Sequence, residues 1–426
     1  MLHIRQVCIR RMAQGSWACE MRFWRFLGNP RVTIARLIEG WGSETREAVA
    51  GQHILAVQDT SELRFSTTKE NRRGLGRVKK GSCRGVVLHT MVALDATTGS
   101  FRGLVSGDVW TRSDAVKIDH RKRQIAEKES NRWITTAKAA EEVLAKASMI
   151  TVIDDREGDI YAHWARTPHD KVHLLARAMQ DHRVVEGGTL FKYANSTPFC
   201  AEAVIQLRTR DGRPGRDAHL SLRFGAVEMR RPKDCIEDDL PESVSLNFVE
   251  VIELHPPTGC EPVRWMLLTT HAVSDAAKAW QIVDWYRMRW TIEQFFRTMK
   301  TMGLQVEDSQ LQSADRLIKI VAIAAKAAAI VMQLVQGRDG ADDRPARDVF
   351  TVDEIRALET LAKRLEGRTN LQKNHHPHRS LAWASWIIAK LGGWSGYASH
   401  RPPGPITMHN GLKYFRAYAD GWAANV

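Results

Sequence analysis

Four side chains that can bind phosphate or a metal ion recur at fixed spacing in the stretch 282–300. The stretch has no Pro or Gly and its apolar residues recur at helical spacing, which predicts a single helix. At about 100° per residue, Tyr286, Arg289, Glu293 and Lys300 form one stripe roughly 60° wide. The stripe presents an acid flanked by two cations and a phenol. Arginine binds phosphate as a bidentate fork and lysine binds it as a point charge, so the stripe suits phosphate chemistry.

The same stripe also fits a surface helix with a few ion pairs. Acids elsewhere in the sequence that could join the stripe in one site distinguish the two interpretations. Asp59 directly follows the short apolar strand predicted over 53–57, and an acid cluster begins at Asp154 after the strand predicted over 147–153. A lone acid there commonly opens a turn, and clustered acids are usually surface residues. The cluster holds four acids within six residues, however, and they would repel one another without a cation.

Three separated strings resemble the insertion-sequence-four family of cut-and-paste transposases, which includes the transposon-five transposase. The first is Tyr-x2-Arg-x3-Glu-x6-Lys, ending at Lys300, and the second is Gln58-Asp59-Thr60. The third is the Asp-Arg-Glu-x-Asp pattern that begins at Asp155, and EKESNRW over 127–133 also resembles the family. The resemblance covers roughly 17–426 and identifies the chain as a member with a shortened N-terminus.

The resemblance implies a ribonuclease-H-like core with an Asp-Asp-Glu triad. Asp59, Asp155 and Glu293 would be both the catalytic residues and the metal ligands. The family pattern places the second acid on Asp155 and not on Asp154, a choice that needs coordinates. Three carboxylates can hold two divalent ions about 4 Å apart, which stabilise the attacking and leaving oxygens of a phosphodiester. Hard oxygen ligands favour Mg²⁺, with Mn²⁺ as a substitute.

The implied reaction is DNA transposition: end nicking, hairpin formation and opening, then strand transfer to target DNA. The partners would be double-stranded DNA, both transposon ends and target, and a second copy of the chain in a synaptic complex. The expected DNA-binding residues are Tyr286, Arg289, Lys300, Trp265, Arg177, Trp290, Lys79 and Lys80. Trp265 fits either a core position or a stacking contact with a flipped base. The basic stretch with Lys79 and Lys80 fits either a phosphate-binding loop or a solvated one.

Bulk composition agrees with a polyanionic partner. The 426 residues include 62 Lys and Arg against 49 Asp and Glu, a net charge of +13 with a pI near 9.6. Such a surplus favours nucleic acid or an acidic membrane surface. The six cysteines are scattered without a CxxC pair, which favours reduced thiols in the cytoplasm. The apolar run 320–335 is short and interrupted by Lys326, so we expect a buried helix and no membrane partner. The family resemblance implies a bacterial, DNA-associated protein.

The expected fold class is α/β, with a mixed sheet flanked by helices. The predicted division is a helical DNA-binding remnant (1–50), a first core part (51–179), an all-β insertion (180–264), a second core part (265–366) and a helical dimerisation region (367–426). Several tens of residues that usually precede the N-terminal region in the family are missing. The alternative function is therefore a truncated, non-catalytic regulator that pairs with full-length transposase and inhibits it.

Overall fold

The computed structural model describes residues 1–2, 7–65, 73–78, 83–113, 123–207, 215–397 and 399–423. Within them the strands are β1 (His53–Phe65), β2 (Gly76–Arg77), β3 (Arg84–Asp95), β4 (Phe101–Trp110), β5 (Met149–Asp154), β6 (Val172–Arg177), β7 (Ala201–Leu207), β8 (Arg216–Arg230), β9 (Ser243–Ile252) and β10 (Arg264–Thr269). The α-helices are α1 (Ile9–Met12), α2 (Trp17–Gly28), α3 (Ile34–Glu39), α4 (Thr45–Ala48), α5 (Arg132–Val143), α6 (Tyr161–Arg166), α7 (Leu190–Asn195), α8 (Ala276–Met288), α9 (Trp290–Lys300), α10 (Ala314–Gln336), α11 (Val352–Leu365), α12 (Leu381–Leu391) and α13 (Pro405–Ala423).

Short 3₁₀ turns connect several of these elements. They span Ile125–Glu127, Glu129–Asn131, Arg156–Gly158, Val306–Asp308, Ala346–Asp348 and Asn370–Gln372.

All ten described strands belong to one mixed sheet, in the order β2-β3-β1-β5-β6-β10-β9-β8-β7, with β4 paired to β3. β1 and β3 are antiparallel, whereas β5 runs parallel to both β1 and β6. The expected α/β class with a mixed sheet flanked by helices is confirmed.

The stretch 180–264, which the sequence predicts as an all-β insertion, contains the strands β7, β8 and β9 and the short helix α7. Its strands β7, β8 and β9 pair in succession, and β9 pairs with β10, which in turn pairs with β6 of the core. The three strands therefore extend the core sheet. The physical reason is that an isolated edge at β10 or β6 would leave backbone hydrogen-bonding groups unpaired.

Alternation along β1 separates two helical layers. Leu55 and Val57 belong to the apolar cluster that includes α8, α9 and α10, whereas Ile54 and Ala56 belong to the cluster that includes α5 and α6. Successive strand side chains point to opposite faces, so odd-numbered residues around position 59 face α9 and even-numbered ones face α5.

The long helix α10 is a core helix, as the sequence predicted. By length and composition it is the one helix of the described residues that could cross a membrane, yet most of its apolar window is buried inside the protein. Its two lysines bind helix ends. The Lys319 Nζ donates to the carbonyl of Leu27 (3.0 Å), at the end of α2, and to Asp315. The Lys326 Nζ donates to the carbonyl of Trp41 (3.0 Å), just beyond α3.

A third apolar cluster joins the C-terminal part of α10 to α11, α12 and α13. The C-terminal helices are thus packed onto the core through α10. The six cysteines are all free thiols, in agreement with their scattered positions in the sequence.

Candidate active site

Asp59 lies within β1 and not at its end, because β1 continues to Phe65. The pairing with β3 supplies the backbone hydrogen bonds of this second half, with Asp59 opposite Thr90. The parallel pairing with β5 ends earlier, at Val57. Asp59 therefore lies just beyond the end of its parallel neighbour, on the face that carries α9. Its Oδ1 accepts a hydrogen bond from the amide of Thr60 (2.7 Å).

The structure separates Asp154 from Asp155. Asp154 is the last residue of β5 and is fully buried, with its Oδ2 2.8 Å from Nε2 of His163. Asp155 begins the following 3₁₀ turn, and its Oδ1 accepts from the amide of Glu157 (2.7 Å). Adjacent strand residues point to opposite faces, so only Asp155 can face the side that Asp59 faces. Gly158 allows this tight turn, since a Cβ there would lie 2.4 Å from Cβ of Asp154.

The helix predicted over 282–300 is two helices, α8 and α9, with a break at Arg289. At the break the amide of Arg289 donates to the carbonyl of Tyr286, and the amide of Ile292 donates to the carbonyl of Arg289, each at 3.1 Å. These bonds span three residues and tighten the turn, a local feature that apolar spacing does not reveal. Glu293 lies in the first turn of α9, where the helix N-terminus favours a negative charge.

Arg289 joins two acids that are far apart in the sequence. Its Nη1 lies 3.0 Å from Oδ2 of Asp59 and its Nη2 lies 3.1 Å from Oε1 of Glu293. The Arg289 and Asp59 side chains are 13% and 15% exposed, whereas that of Glu293 is 38% exposed. Hydrogen bonds between a guanidinium and carboxylates are charge-assisted, and partial burial strengthens them, so Arg289 binds both acids strongly.

Electrostatics also connect Asp155 to this group. Burial, followed by repulsion from the charge of Asp155, raises the pKa of Asp59 to about 7, although Arg289 acts in the opposite direction. Burial likewise raises the pKa of Asp155. The three predicted acids therefore surround one guanidinium, with more negative charge than that cation offsets.

As placed, no three His, Cys, Asp or Glu side chains of the described residues converge closely enough to hold a metal ion. The guanidinium of Arg289 bonds to two of the acids, so a metal ion bound by both would require this side chain to move. The donor set itself, three carboxylates, suits a hard divalent cation.

Aromatic and basic side chains lie next to the acids. Tyr286 is buried, and its ring centroid lies 6.0 Å from that of Trp265 on β10. The Arg289 guanidinium carbon is 5.8 Å from the Tyr286 ring centroid. Arg177, at the end of β6, interacts electrostatically with Tyr286 and donates from Nη2 to the carbonyl of Arg264 (2.7 Å). Burial raises the pKa of Tyr286, so its hydroxyl remains a hydrogen-bond donor.

The remaining predicted DNA-binding residues are placed differently. Lys300 donates from Nζ to the backbone carbonyl of Glu62 (2.7 Å) and so ties α9 to β1. Trp290 begins α9 and is 38% exposed. Lys79 and Lys80 lie outside the described residues.

Sequence reasoning included Arg132 only within the string EKESNRW and assigned it no role. In the structure Arg132 is the first residue of α5, and it contacts Thr60, the neighbour of Asp59, and Glu157, in the turn that Asp155 begins. The signal that could have found it was the resemblance of that string to the family.

Comparison with known proteins gives two findings. The family model described as "Transposase DDE domain" matches residues 115–327, half of the chain, a range that contains Asp155 and Glu293 but not Asp59. Among solved structures, the chain is similar to one described as a cryo-EM structure of the piggyBac transposase synaptic complex with hairpin DNA. That similarity has a TM-score of 0.36 at 12% identity and covers 78% of this chain and 61% of that chain, so this chain spans about three fifths of the other's length. On the family match, the chain belongs to the transposases with a DDE domain.

Proposed function

We propose that this protein cuts and joins DNA phosphodiesters at a site formed by Asp59, Asp155 and Glu293, with Mg²⁺ as cofactor and Mn²⁺ as a substitute. The observation that carries the proposal is the shared guanidinium. Arg289 binds Asp59 and Glu293 directly, and the charge of Asp155 acts on Asp59. Residues from two strand regions and one helix are thereby brought to one place.

The acids need more positive charge than Arg289 provides. The pKa of Asp59, raised to about 7, means that its carboxylate is only partly ionised at neutral pH without a further cation. When bound, divalent ions would neutralise charge on the attacking and leaving oxygens of the phosphodiester. Asp59, Asp155 and Glu293 would hold them, once the Arg289 guanidinium has moved from between Asp59 and Glu293.

The other side chains would bind and orient DNA. A displaced Arg289 can bind a phosphate through both Nη atoms, as it now binds two carboxylates. Tyr286 and Arg177 offer a hydroxyl and a second cation beside it. Trp265 packs against Tyr286, and its ring is only partly buried and can stack on a base.

We also infer that β1 and β3–β6 form a ribonuclease-H-like core. In support, β4, β3 and β1 are consecutive antiparallel neighbours, and β5 and β6 continue the sheet in parallel with β1. Asp59 lies beyond the parallel register of β1 and Asp155 immediately after β5, so adjacent strands deliver the two acids.

The proposed reaction is cut-and-paste transposition by a homodimer: nicking, hairpin formation and opening, then strand transfer. The net charge of +13 suits the double-stranded DNA ends and target. We assign subunit pairing to the region 367–426. In α13, Tyr414 is 58% and Ile406 is 41% exposed, which leaves apolar surface for a second copy.

The test is incubation of the full chain with a linear duplex carrying the DNA that flanks its own gene. We expect Mg²⁺-dependent nicks and hairpin ends on denaturing gels, and none with EDTA. Asp59→Asn, Asp155→Asn and Glu293→Gln should abolish cleavage while gel-shift binding to the same duplex survives. The matched control is Asp284→Asn, an exposed acid on α8 that forms an ion pair with Arg287, one turn along the same helix.

Two outcomes would contradict the proposal. Cleavage by the three acid variants at the rate of the unmutated chain would exclude these residues as the site. Binding without cleavage by the unmutated chain, together with inhibition of a longer transposase, would favour the regulator instead.

A further inference from the structure

Arg132 connects the two strand regions that carry Asp59 and Asp155. Its Nε donates to Oγ1 of Thr60 (3.0 Å), and its Nη2 donates to Oε2 of Glu157 (2.8 Å). Thr60 is the neighbour of Asp59 on β1, and Glu157 lies in the 3₁₀ turn that Asp155 begins. One guanidinium therefore spans the gap between the two acid-bearing segments.

The two residues that Arg132 binds are the ones whose backbones orient the acids. The amide of Thr60 donates to Oδ1 of Asp59, and the amide of Glu157 donates to Oδ1 of Asp155, each at 2.7 Å. A shift of either segment would move both the amide and the carboxylate that it holds. Arg132 acts from the α5 face of the sheet, opposite to the face where Arg289 binds Asp59, because the side chain of Thr60 points the other way from that of Asp59.

The Thr60 hydroxyl belongs to a closed set of buried hydrogen bonds. It accepts from Arg132, so its own proton is directed to Nδ1 of His89 (2.8 Å). Nε2–H of His89 then donates to Oε1 of Gln58 (3.1 Å), and the Gln58 amide donates to the carbonyl of Trp133 (3.1 Å). Burial holds the pKa of His89 well below its usual value, so the ring is neutral and its Nδ1 can accept.

The set of hydrogen bonds begins at Arg132 and ends at Trp133, the first two residues of α5. Its side chains have little freedom to rearrange. Gln58 and His89 are fully buried, and the Arg132 side chain is 11% exposed. The Arg132 guanidinium carbon also lies 5.5 Å from the Trp133 ring centroid and 6.0 Å from that of Trp110. Each buried group already has its partner, and breaking one bond leaves another unsatisfied.

We propose that Arg132 is a positioning residue of the metal site, which fixes the separation of Asp59 and Asp155 by binding Thr60 and Glu157 at once. The inference rests on the proposed function, since it assigns Asp59 and Asp155 as metal ligands. Arg132 itself contacts neither carboxylate by hydrogen bond. Lysine has the same charge but lacks the planar fork that reaches two partners, so charge alone does not replace it.

The test is Mn²⁺ binding to the full chain without DNA, measured from the EPR signal of free Mn²⁺. Arg132→Gln and Arg132→Lys should each weaken binding about 10- to 100-fold, the usual effect of losing a group that orients metal ligands. Gel-shift binding to duplex DNA in EDTA should stay within about twofold. The control is Arg223→Gln, which removes an equally buried guanidinium from β8, where Glu250 retains Arg264 as its partner.

Thr60→Val removes the hydroxyl but keeps the shape and the backbone amide, and it provides a second test if Arg132→Gln folds poorly. It should weaken Mn²⁺ binding to a similar degree, whereas Thr60→Ser should bind as the unmutated chain does. The double variant should bind about as weakly as either single one, because both act through one contact.

The outcomes separate the two proposals. If the unmutated chain binds no Mn²⁺, the proposed function and this inference both fail. Suppose instead that the unmutated chain binds Mn²⁺, and that Thr60→Val and the Arg132 variants bind Mn²⁺ with an affinity within twofold of it. Only the inference then fails. An equal loss in Arg223→Gln would also overturn it, since any buried arginine would then matter as much.

Discussion

The Arg289 guanidinium binds the carboxylate of Asp59 at 3.0 Å across 230 residues of sequence. The same guanidinium binds Glu293, four residues further along the chain. Arg289 thereby holds α9 against β1 and places one positive charge among the three acids. The same contact makes this arginine a competitor of any metal ion that uses both carboxylates.

Arg289→Gln should weaken DNA binding and reduce its dependence on salt. A phosphate contact releases about one counterion, so the slope of log K against log[salt] should fall by about one. Fluorescence anisotropy with a labelled duplex, from low to moderate NaCl, measures the slope. Ca²⁺ is present throughout, because it is also bound by carboxylate oxygens and would displace Arg289 from them. Arg287→Gln is the matched control, since Arg287 is exposed and pairs with Asp284. Equal slopes for all three proteins would exclude a phosphate contact by Arg289.

Asp59→Asn should stabilise the metal-free protein at pH 8. The folded-state pKa of about 7 is above the ordinary value of 3.8, so ionising Asp59 in the folded state costs stability as pH rises through this window. The asparagine cannot ionise. We expect an increase in Tm of about 2–4 °C for each kcal/mol regained. Most of this increase should be lost near pH 4, where Asp59 is protonated in the folded state and partly protonated in the unfolded chain.

Calorimetry in EDTA at the two pH values measures this difference, with Asp284→Asn as an exposed control. A Tm that falls at pH 8 would show that the Asp59 carboxylate is stabilising as it stands.

Gly158→Ala should damage the site through Asp155. The added Cβ would approach Cβ of Asp154 to 2.4 Å, so the turn after β5 must shift. Shifts of this kind cost about 1–3 kcal/mol and would move Asp155 away from Asp59. Urea unfolding and Mg²⁺-dependent nicking together measure the effect. Gly404→Ala, whose Cβ would have no heavy atom within 4 Å, should leave both measurements unchanged.

Lys319→Met should loosen α2 from the core. The change leaves the buried carbonyl of Leu27 without its donor, at a cost of about 1–3 kcal/mol. Limited proteolysis should then cut the region 17–31 faster than in the unmutated chain. Lys326→Met should have a smaller effect, because that side chain is 31% exposed and water can replace it. Equal protection in all three proteins would contradict this assignment.

The His53, His173 and His271 cluster should make the protein sensitive to acid. His271 stacks on His173 with ring centroids 3.9 Å apart, and both His53 and His271 bond to Oγ1 of Thr151. Burial, with repulsion from His173, lowers the pKa of His53 to about 4 and that of His271 to about 3. The unfolded chain therefore binds more protons than the folded one below about pH 6.5, and stability decreases as pH falls through this window.

His271→Gln should remove part of that decrease, up to about 1.4 kcal/mol per pH unit. Urea unfolding at pH 7 and pH 5 measures it. The exposed His255→Gln should retain the full pH dependence. A pH dependence in His271→Gln as steep as that of the unmutated chain would show that this histidine does not contribute.

Several features were predictable because local spacing carries them. Apolar periodicity predicted α10 as a buried helix, and the apolar strands predicted over 53–57 and 147–153 lie within or overlap β1 and β5. Two features were not predictable. The break at Arg289 arises from two backbone hydrogen bonds that span three residues instead of four, with helix on both sides. The continuation of the core sheet through β10 into β9, β8 and β7 depends on pairing between distant strands.

By itself, the sequence determined which residue types are available: three carboxylates, the arginine among them and a strongly basic chain, since these are properties of composition and spacing. Only the tertiary structure decided that Asp154 is buried against His163 while Asp155 belongs with Asp59, and that Arg132 lies behind both segments. The reason is that side-chain direction depends on the face of the sheet to which a residue points. That face is set by long-range strand pairing, which neighbouring residues do not encode.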